Sequence, residues 1–139
     1  MAAALVFESV TVGSELPPLT LAVTPSLIVA GALASGDFEV VHHDKRAAQQ
    51  RGTPDIFMNI LTTNGQVQRY VGAWAGAAAL IRSIDIRLGV PNLAGDTLKL
   101  TGVVRSKQQQ DGERILEVAV RGANSLGEHV AATVRIALP

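Results

Sequence analysis

The feature that most constrains this chain is a change of hydrophobic period partway along it. Between Ile56 and Gly72 the residues Phe57, Ile60, Leu61, Asn64, Val67 and Val71 recur at spacings of three and four, the period of a helix. Beyond Gly76 the period becomes two. Leu80, Ile84, Ile86 and Leu88 fall on one face, with Ile81, Ser83, Asp85 and Arg87 on the other. Leu98, Leu100 and Val104 then alternate with Lys99 and Thr101, and Leu116, Val118 and Val120 alternate with Glu117 and Arg121. In the last run Val130, Ala132, Val134, Ile136 and Leu138 alternate with Thr133 and Arg135. Turn signals at Pro91 to Asp96, at Asp111-Gly112 and at Gly127 separate the runs. The pattern predicts a long helix followed by an antiparallel meander of four strands with one buried face.

Upstream, Gly13, Pro17 and Pro18 predict an extended lead-in over Phe7 to Thr24 with little regular structure. Ser26 to Ala30 reads as a short buried strand. Ser35-Gly36-Asp37 ends it, and Asp37 suits the N-cap of a short helical turn. The polar run Lys45 to Thr53 reads as a surface connection. Gly65 and Gly72 each cost the long helix about 1 kcal/mol relative to Ala, which predicts another backbone pressed against it. A curved sheet wrapped around the long helix is the economical packing. That is the hotdog arrangement, an α+β fold, expected here as a single domain over residues 1–139. Other helix-on-sheet α+β folds share the same order of elements.

Composition excludes several functions. Lys plus Arg balance Asp plus Glu at 12 each, so no basic excess exists to neutralise a nucleic acid. Near neutrality also removes self-repulsion and suits an oligomer. The chain has no cysteine, which removes disulfides, thiolate nucleophiles and Cys-based zinc sites together. Met1 to Phe7 is apolar but short and lacks the basic residues of a signal peptide, and Val71 to Ile81 is too short to span a bilayer. A cytoplasmic protein without membrane contact is expected.

The segment that carries chemistry is Asp37-Phe38-Glu39-Val40-Val41-His42-His43-Asp44. In a regular helix, residues five apart point roughly 140° away from each other. Asp37 and His42 therefore meet at one substrate only if a turn or a distorted helix start joins them. A carboxylate beside an imidazole is suited to moving protons near neutral pH. Neighbouring His42 and His43 cannot both face one ion from a regular element, so no metal site is expected. Gly31 and Gly36 do not have the spacing of a phosphate-binding loop. His129 falls on the polar face of the last strand, a solvated position. Arg69, Arg82 and Arg87 read as surface or interface charges, with contact to a coenzyme phosphate as the alternative. Trp74 reads as a cap on the core or a subunit contact.

The pattern Asp37-Phe38-x-x-x-His42-x-Asp44 resembles the signature of the MaoC-like, (R)-specific enoyl-CoA hydratases. The opening Phe7-Glu8-x-Val10-x-Val12-Gly13-x-Glu15-Leu16-Pro17-Pro18-Leu19 is similar to that family's lead-in, and the likeness covers nearly the whole chain. Asp37 to Asp44, Asp55-Ile56-Phe57-x-Asn59-Ile60-Leu61-Thr62, Val67 to Val71 and Leu88-Gly89-Val90-Pro91 resemble one subgroup in particular. Its members are the small subunits of heteromeric hydratases in actinobacterial steroid side-chain degradation. The resemblance implies that Asp37 and His42 hold a water molecule and move protons during syn hydration of a trans-2-enoyl thioester. Asp37 would orient the water as base and His42 would be its partner and proton carrier, with the division between them left open. It also implies an oxyanion donor in the backbone N–H of Asn59, where many members carry Gly in a His-Gly-Met-like run. This sequence departs from that run with Met58-Asn59-Ile60, which alters the expected acyl pocket. His43 has no counterpart in the catalytic pair, and Asp44 matches a structural position.

The resemblance further implies no cofactor, CoA being part of the substrate. A second MaoC-like hotdog subunit is the expected partner, in a heterotetramer, with a homodimer when the chain is alone. The competing readings are a hotdog acyl-CoA thioesterase and a non-catalytic subunit that completes a partner's site. Retention of both Asp37 and His42 argues against the latter.

Overall fold

The change of period at Gly76 is where helix gives way to sheet. In the computed structural model, which describes residues 5–139, a helix α3 (Ile60–Ala75) ends at Gly76 with φ of 87°, in the left-handed region that favours glycine. Four strands follow: β2 (Leu80–Leu88), β3 (Thr97–Gln110), β4 (Glu113–Asn124) and β5 (Gly127–Leu138). Helices α1 (Pro25–Ala34) and α2 (Lys45–Gln50) precede α3, and a further strand, β1 (Glu15–Ala22), precedes them. The part of the N-terminal reading that rests on Met1 to Ala4 lies outside the described residues.

All five strands form one antiparallel sheet in the order β1-β3-β4-β5-β2. Val67, Val71 and Ala75 of α3 share a core with Leu100, Val118 and Val134, inward side chains of the curved sheet. This is the hotdog arrangement of an α+β fold. Among the described residues, no helix is long and apolar enough to cross a membrane.

Several expectations are corrected. The four strands are not a simple meander, because β2 pairs with β5 instead of β3. The Asp111-Gly112 turn, with both φ values positive, closes a tight β3–β4 hairpin, but no such turn joins β2 to β3. Their connection instead bridges Leu93 to Phe57, and β2 is free to take the far edge. The lead-in contains a 3₁₀ turn at Phe7–Ser9 and the edge strand β1. Its two prolines sit where the β1–β3 register shifts between Leu16 and Leu19, a place where an edge strand tolerates missing donors. Ser26 to Ala30 is helical: the Thr24 hydroxyl accepts from the Leu27 N–H and Pro25 opens the helix, a start signal that overrides a short apolar run. Lys45 to Gln50 is helical too, because the Asp44 carboxylate caps it by accepting from Ala47 at 3.0 Å.

The long helix begins at Ile60 instead of Ile56, since Asn59 is its N-cap and the Met58 N–H pairs with the Asn92 carbonyl. Gly65 and Gly72 meet nothing within 4 Å of where a Cβ would stand, so no backbone presses on α3 there. The close approaches are elsewhere. A Cβ at Gly31 would overlap the Thr62 side chain where α1 crosses α3, and one at Gly89 would overlap the Glu128 carbonyl oxygen.

Alternation also breaks at bulges. The β2–β5 register shifts between Ile81 and Ser83, so Ile81 faces inward opposite Ile136 while Leu80 is exposed. One extra residue reverses the inside-outside phase of everything before it.

Candidate active site

Between α1 and α2 the chain makes the irregular passage that the Asp37–His42 spacing requires. Asp37 is not an N-cap. Its Oδ1 accepts the Glu39 N–H at 3.2 Å, a local turn, and a 3₁₀ turn at Val40–His42 follows with Glu39 as its cap. The passage brings Asp37 Oδ2 to 3.2 Å from His42 Nε2. His42 is buried, and its Nδ1 lies 2.7 Å from the Phe57 carbonyl oxygen. A carbonyl only accepts, so Nδ1 carries the hydrogen, and in the neutral ring the lone pair sits on Nε2, facing Asp37. The Phe57 ring stands edge-on to the imidazole with centroids 5.0 Å apart.

Asn59 joins the group from the start of α3. Its Nδ2 donates to Asp37 Oδ2 at 3.0 Å, and this bond is the main cause that holds the Asp37 carboxyl below its ordinary value. The Glu39 N–H and the neighbouring His42 act in the same direction, against a smaller upward push from burial. Among the described residues, no acceptor takes the backbone N–H of Asn59, and Asn59 and Ile60 both border the cleft. His43 is exposed, and Asp44 is engaged in capping α2.

The cleft over the pair has a volume of about 460 Å³. Phe57, Met58, Ile60, Leu88, Val90 and Pro91 give it an apolar wall, while Asp37, His42 and His129 supply its titratable groups. Arg69, Arg82 and Arg87 do not line it; all are exposed, and Arg82 of β2 pairs with Glu113 of β4 in the same sheet. Trp74 packs against the core.

His129 is the residue that sequence reasoning misplaced. It is buried, not solvated, because the β4–β5 register shifts between Gly122 and Ala123 and turns it inward beside Val130. Its Nδ1 lies 2.7 Å from the Val90 carbonyl, and its Nε2 lies 2.8 Å from the Thr63 hydroxyl. The carbonyl fixes the hydrogen on Nδ1, leaving Nε2 to accept from Thr63. Burial lowers its affinity for a proton, so it stays neutral below its ordinary value of 6.5. The unfolded chain takes up a proton near 6.5 that the folded chain refuses. Stability is therefore complete above that value and declines as pH falls below it. Urea midpoints measured between about pH 5 and about pH 7.5 should fall more steeply on the acid side in the parent than in His129→Gln. Parallel curves would show that this histidine does not contribute.

The model of the MaoC-like domain matches residues 9–125, and the chain belongs to that family. It is 50% identical over 127 residues to a Mycobacterium tuberculosis protein named 3-oxo-4,17-pregnadiene-20-carboxyl-CoA hydratase beta subunit, covering 91% of this chain and 95% of that one. A chain in the crystal structure of the ChsH1-ChsH2 complex from the same organism superposes with a TM-score of 0.87 at 50% identity, over 93% of this chain and 98% of that one. An (R)-hydratase from A. caviae involved in PHA biosynthesis shares the fold, with a TM-score of 0.85 at 18% identity over 95% of this chain and 99% of that one.

Proposed function

We propose that this chain is the catalytic subunit of a trans-2-enoyl-CoA hydratase. The observation that carries the proposal is the approach of Asp37 Oδ2 to His42 Nε2 at 3.2 Å beneath an apolar cleft. Two acceptors converging on one point are suited to a water molecule, which donates a hydrogen to each. His42 Nε2 takes a proton from the water as its oxygen bonds to Cβ of the enoyl thioester. The double-bond electrons pass to the thioester oxygen, and the enolate returns to the carbonyl as the His42 proton is delivered to Cα. Asp37, kept ionised, stabilises the transient imidazolium. One pair serving both carbons from the same side gives syn addition. The reaction is redox-neutral, and its steps call for no cofactor.

The enolate oxygen is assigned to the Asn59 N–H at the start of α3. Unpaired amides and the helix dipole favour negative charge there. A substrate of the kind in the Mycobacterium tuberculosis relative's name, a 3-oxo-4,17-pregnadiene-20-carboxyl thioester, has its 17-double bond conjugated to the thioester, as the mechanism requires. We assign this chain the same class of bulky ring-bearing acyl group. Assembly with a second, non-identical hotdog chain follows from the likeness to one member of the ChsH1-ChsH2 complex.

The test is to incubate the chain, alone and mixed with such a subunit, with that thioester and with a simple trans-2-enoyl-CoA. Loss of the enoyl absorbance without release of free thiol is the expected result. Thiol release would make the protein a thioesterase, and inertness in every mixture would end the assignment.

A further inference from the structure

Asn59 is buried, with 3% of its surface exposed, and every polar atom of its side chain is committed. Oδ1 accepts from the Thr62 N–H at 2.9 Å, while Nδ2 donates to Ser35 Oγ at 2.9 Å and to Asp37 Oδ2 at 3.0 Å. The Ser35 hydroxyl donates to the Gly31 carbonyl at 2.7 Å and so meets Asn59 as an acceptor. The amide orientation is therefore determined. Turned over, its oxygen would face a carboxylate and its NH2 would face a backbone N–H. One residue thus bridges the end of α1, the start of α3 and the carboxylate between them.

Resting on the hydratase reading, we propose that Asn59 is a positioning residue for the Asp37–His42 pair. Its side-chain amide holds Asp37 as an acceptor-only carboxylate aimed at His42 Nε2, which assigns the moving proton to His42. Asp37 is then fixed on three sides. Glu39 N–H holds Oδ1 at 3.2 Å, Asn59 holds Oδ2, and His42 stands opposite Oδ2 at 3.2 Å. The other charges nearby are already matched. The Glu39 carboxylate pairs with Arg51 at 2.9 Å, and Lys45 pairs with Asp55 at 3.1 Å. Across the cleft His129 is occupied by Val90 and Thr63. A proton on Asp37 Oδ2 would set a donor against the Asn59 NH2, and that amide opposes it.

The rival reading is that Asn59 only caps α3. The two roles use different atoms, Oδ1 for the cap and Nδ2 for Asp37, so substitutions separate them. Asp and Ser at an N-cap keep the bond to Thr62 and lose the NH2 that reaches Asp37, Ser retaining only the hydroxyl hydrogen of a shorter side chain. Asn59→Asp also sets a second carboxylate against the first, and neighbouring carboxylates tend to share a proton.

The pH–rate profile would be measured with a trans-2-enoyl-CoA on the full chain with its second hotdog subunit. The Asp37 carboxyl carbon would be titrated by NMR in the same protein. Asn59→Asp should lower kcat about 100-fold near neutrality with KM changed less than about threefold. The acid limb and the Asp37 titration should both move to higher pH. Asn59→Ser should move them the same way by less, with thermal stability close to the parent's. Parent-like profiles and an unmoved Asp37 titration in both variants would overturn the proposal. If the parent hydrates nothing yet the titration moves, the hydratase reading fails and the clamp on Asp37 stands. If the parent is active and the titration stays, the clamp fails alone.

Discussion

Asp37→Asn should lower kcat/KM for enoyl-CoA hydration by about 10³-fold while leaving the melting temperature near the parent's. The side chains are the same size, and the new amide oxygen can still accept from Asn59. What disappears is the negative charge 3.2 Å from His42 Nε2. An imidazolium formed there would have no counter-charge, and with the amide oxygen toward Asn59 the new NH2 would face the Glu39 N–H that Asp37 Oδ1 accepts at 3.2 Å. His42→Ala should be as damaging to turnover but is a less clean test. It leaves the Phe57 carbonyl, which His42 meets at 2.7 Å, without its donor. A loss of that kind costs about 1–3 kcal/mol when the group is buried. Steady-state kinetics beside thermal melts separate these effects. Asp37→Asn with more than about a tenth of parental kcat/KM would be too active for the proposed role.

Gly89→Ala should destabilise the fold by about 1–3 kcal/mol and weaken hydration along with it. A methyl at this position overlaps the Glu128 carbonyl oxygen, which is backbone and cannot turn aside as a side chain would. The surrounding ladder is tight. Gly89 N–H donates to the His129 carbonyl at 2.7 Å, and Val90 N–H donates to the Glu128 carbonyl at 3.0 Å. Relief requires β2 to move off β5, and Gly89 to Pro91 carry part of the cleft wall with them. Gly65→Ala is the control, measured on the isolated chain. Its site meets nothing within 4 Å, so in mid-helix the change should stabilise by about 0.5–1 kcal/mol. Melting curves of the two variants should shift in opposite directions; a neutral or stabilised Gly89→Ala would mean that the strands separate at little cost.

The two glycines also show how far the sequence could be read. Periodicity located α3 and the strands after Gly76, because burial of one face repeats along each element. It could not tell that Gly65 faces open space and Gly89 a carbonyl, since what stands opposite a glycine belongs to another element or to solvent. His129 illustrates a second limit. Alternation put it on the solvent side, and a bulge in β5 opposite Gly122–Ala123, with His129 as its extra residue, put it in the core. The motif supplied Asp37 and His42, and the family resemblance pointed to Asn59 for its backbone N–H. Its side chain was not foreseen, although an Asn just before an apolar-periodic run is a helix-start signal that placed α3 at Ile60. The Phe57 carbonyl that fixes the His42 tautomer was invisible, because every residue has a carbonyl.

The bulge in β2 has a further consequence. Ile81 and Ile84 are an odd number of residues apart, yet both face inward, opposite Ile136 and Val134. Such a strand fits its neighbour as a notched key fits one lock position. Sliding it by a single step would expose Ile84, Ile86 and Leu88 and bury Asp85 and Arg87. An edge strand with only one seat delivers Gly89 to Pro91 to the same depth each time the chain folds. The wall opposite the Asp37–His42 pair is thereby set by an irregularity several residues away from it.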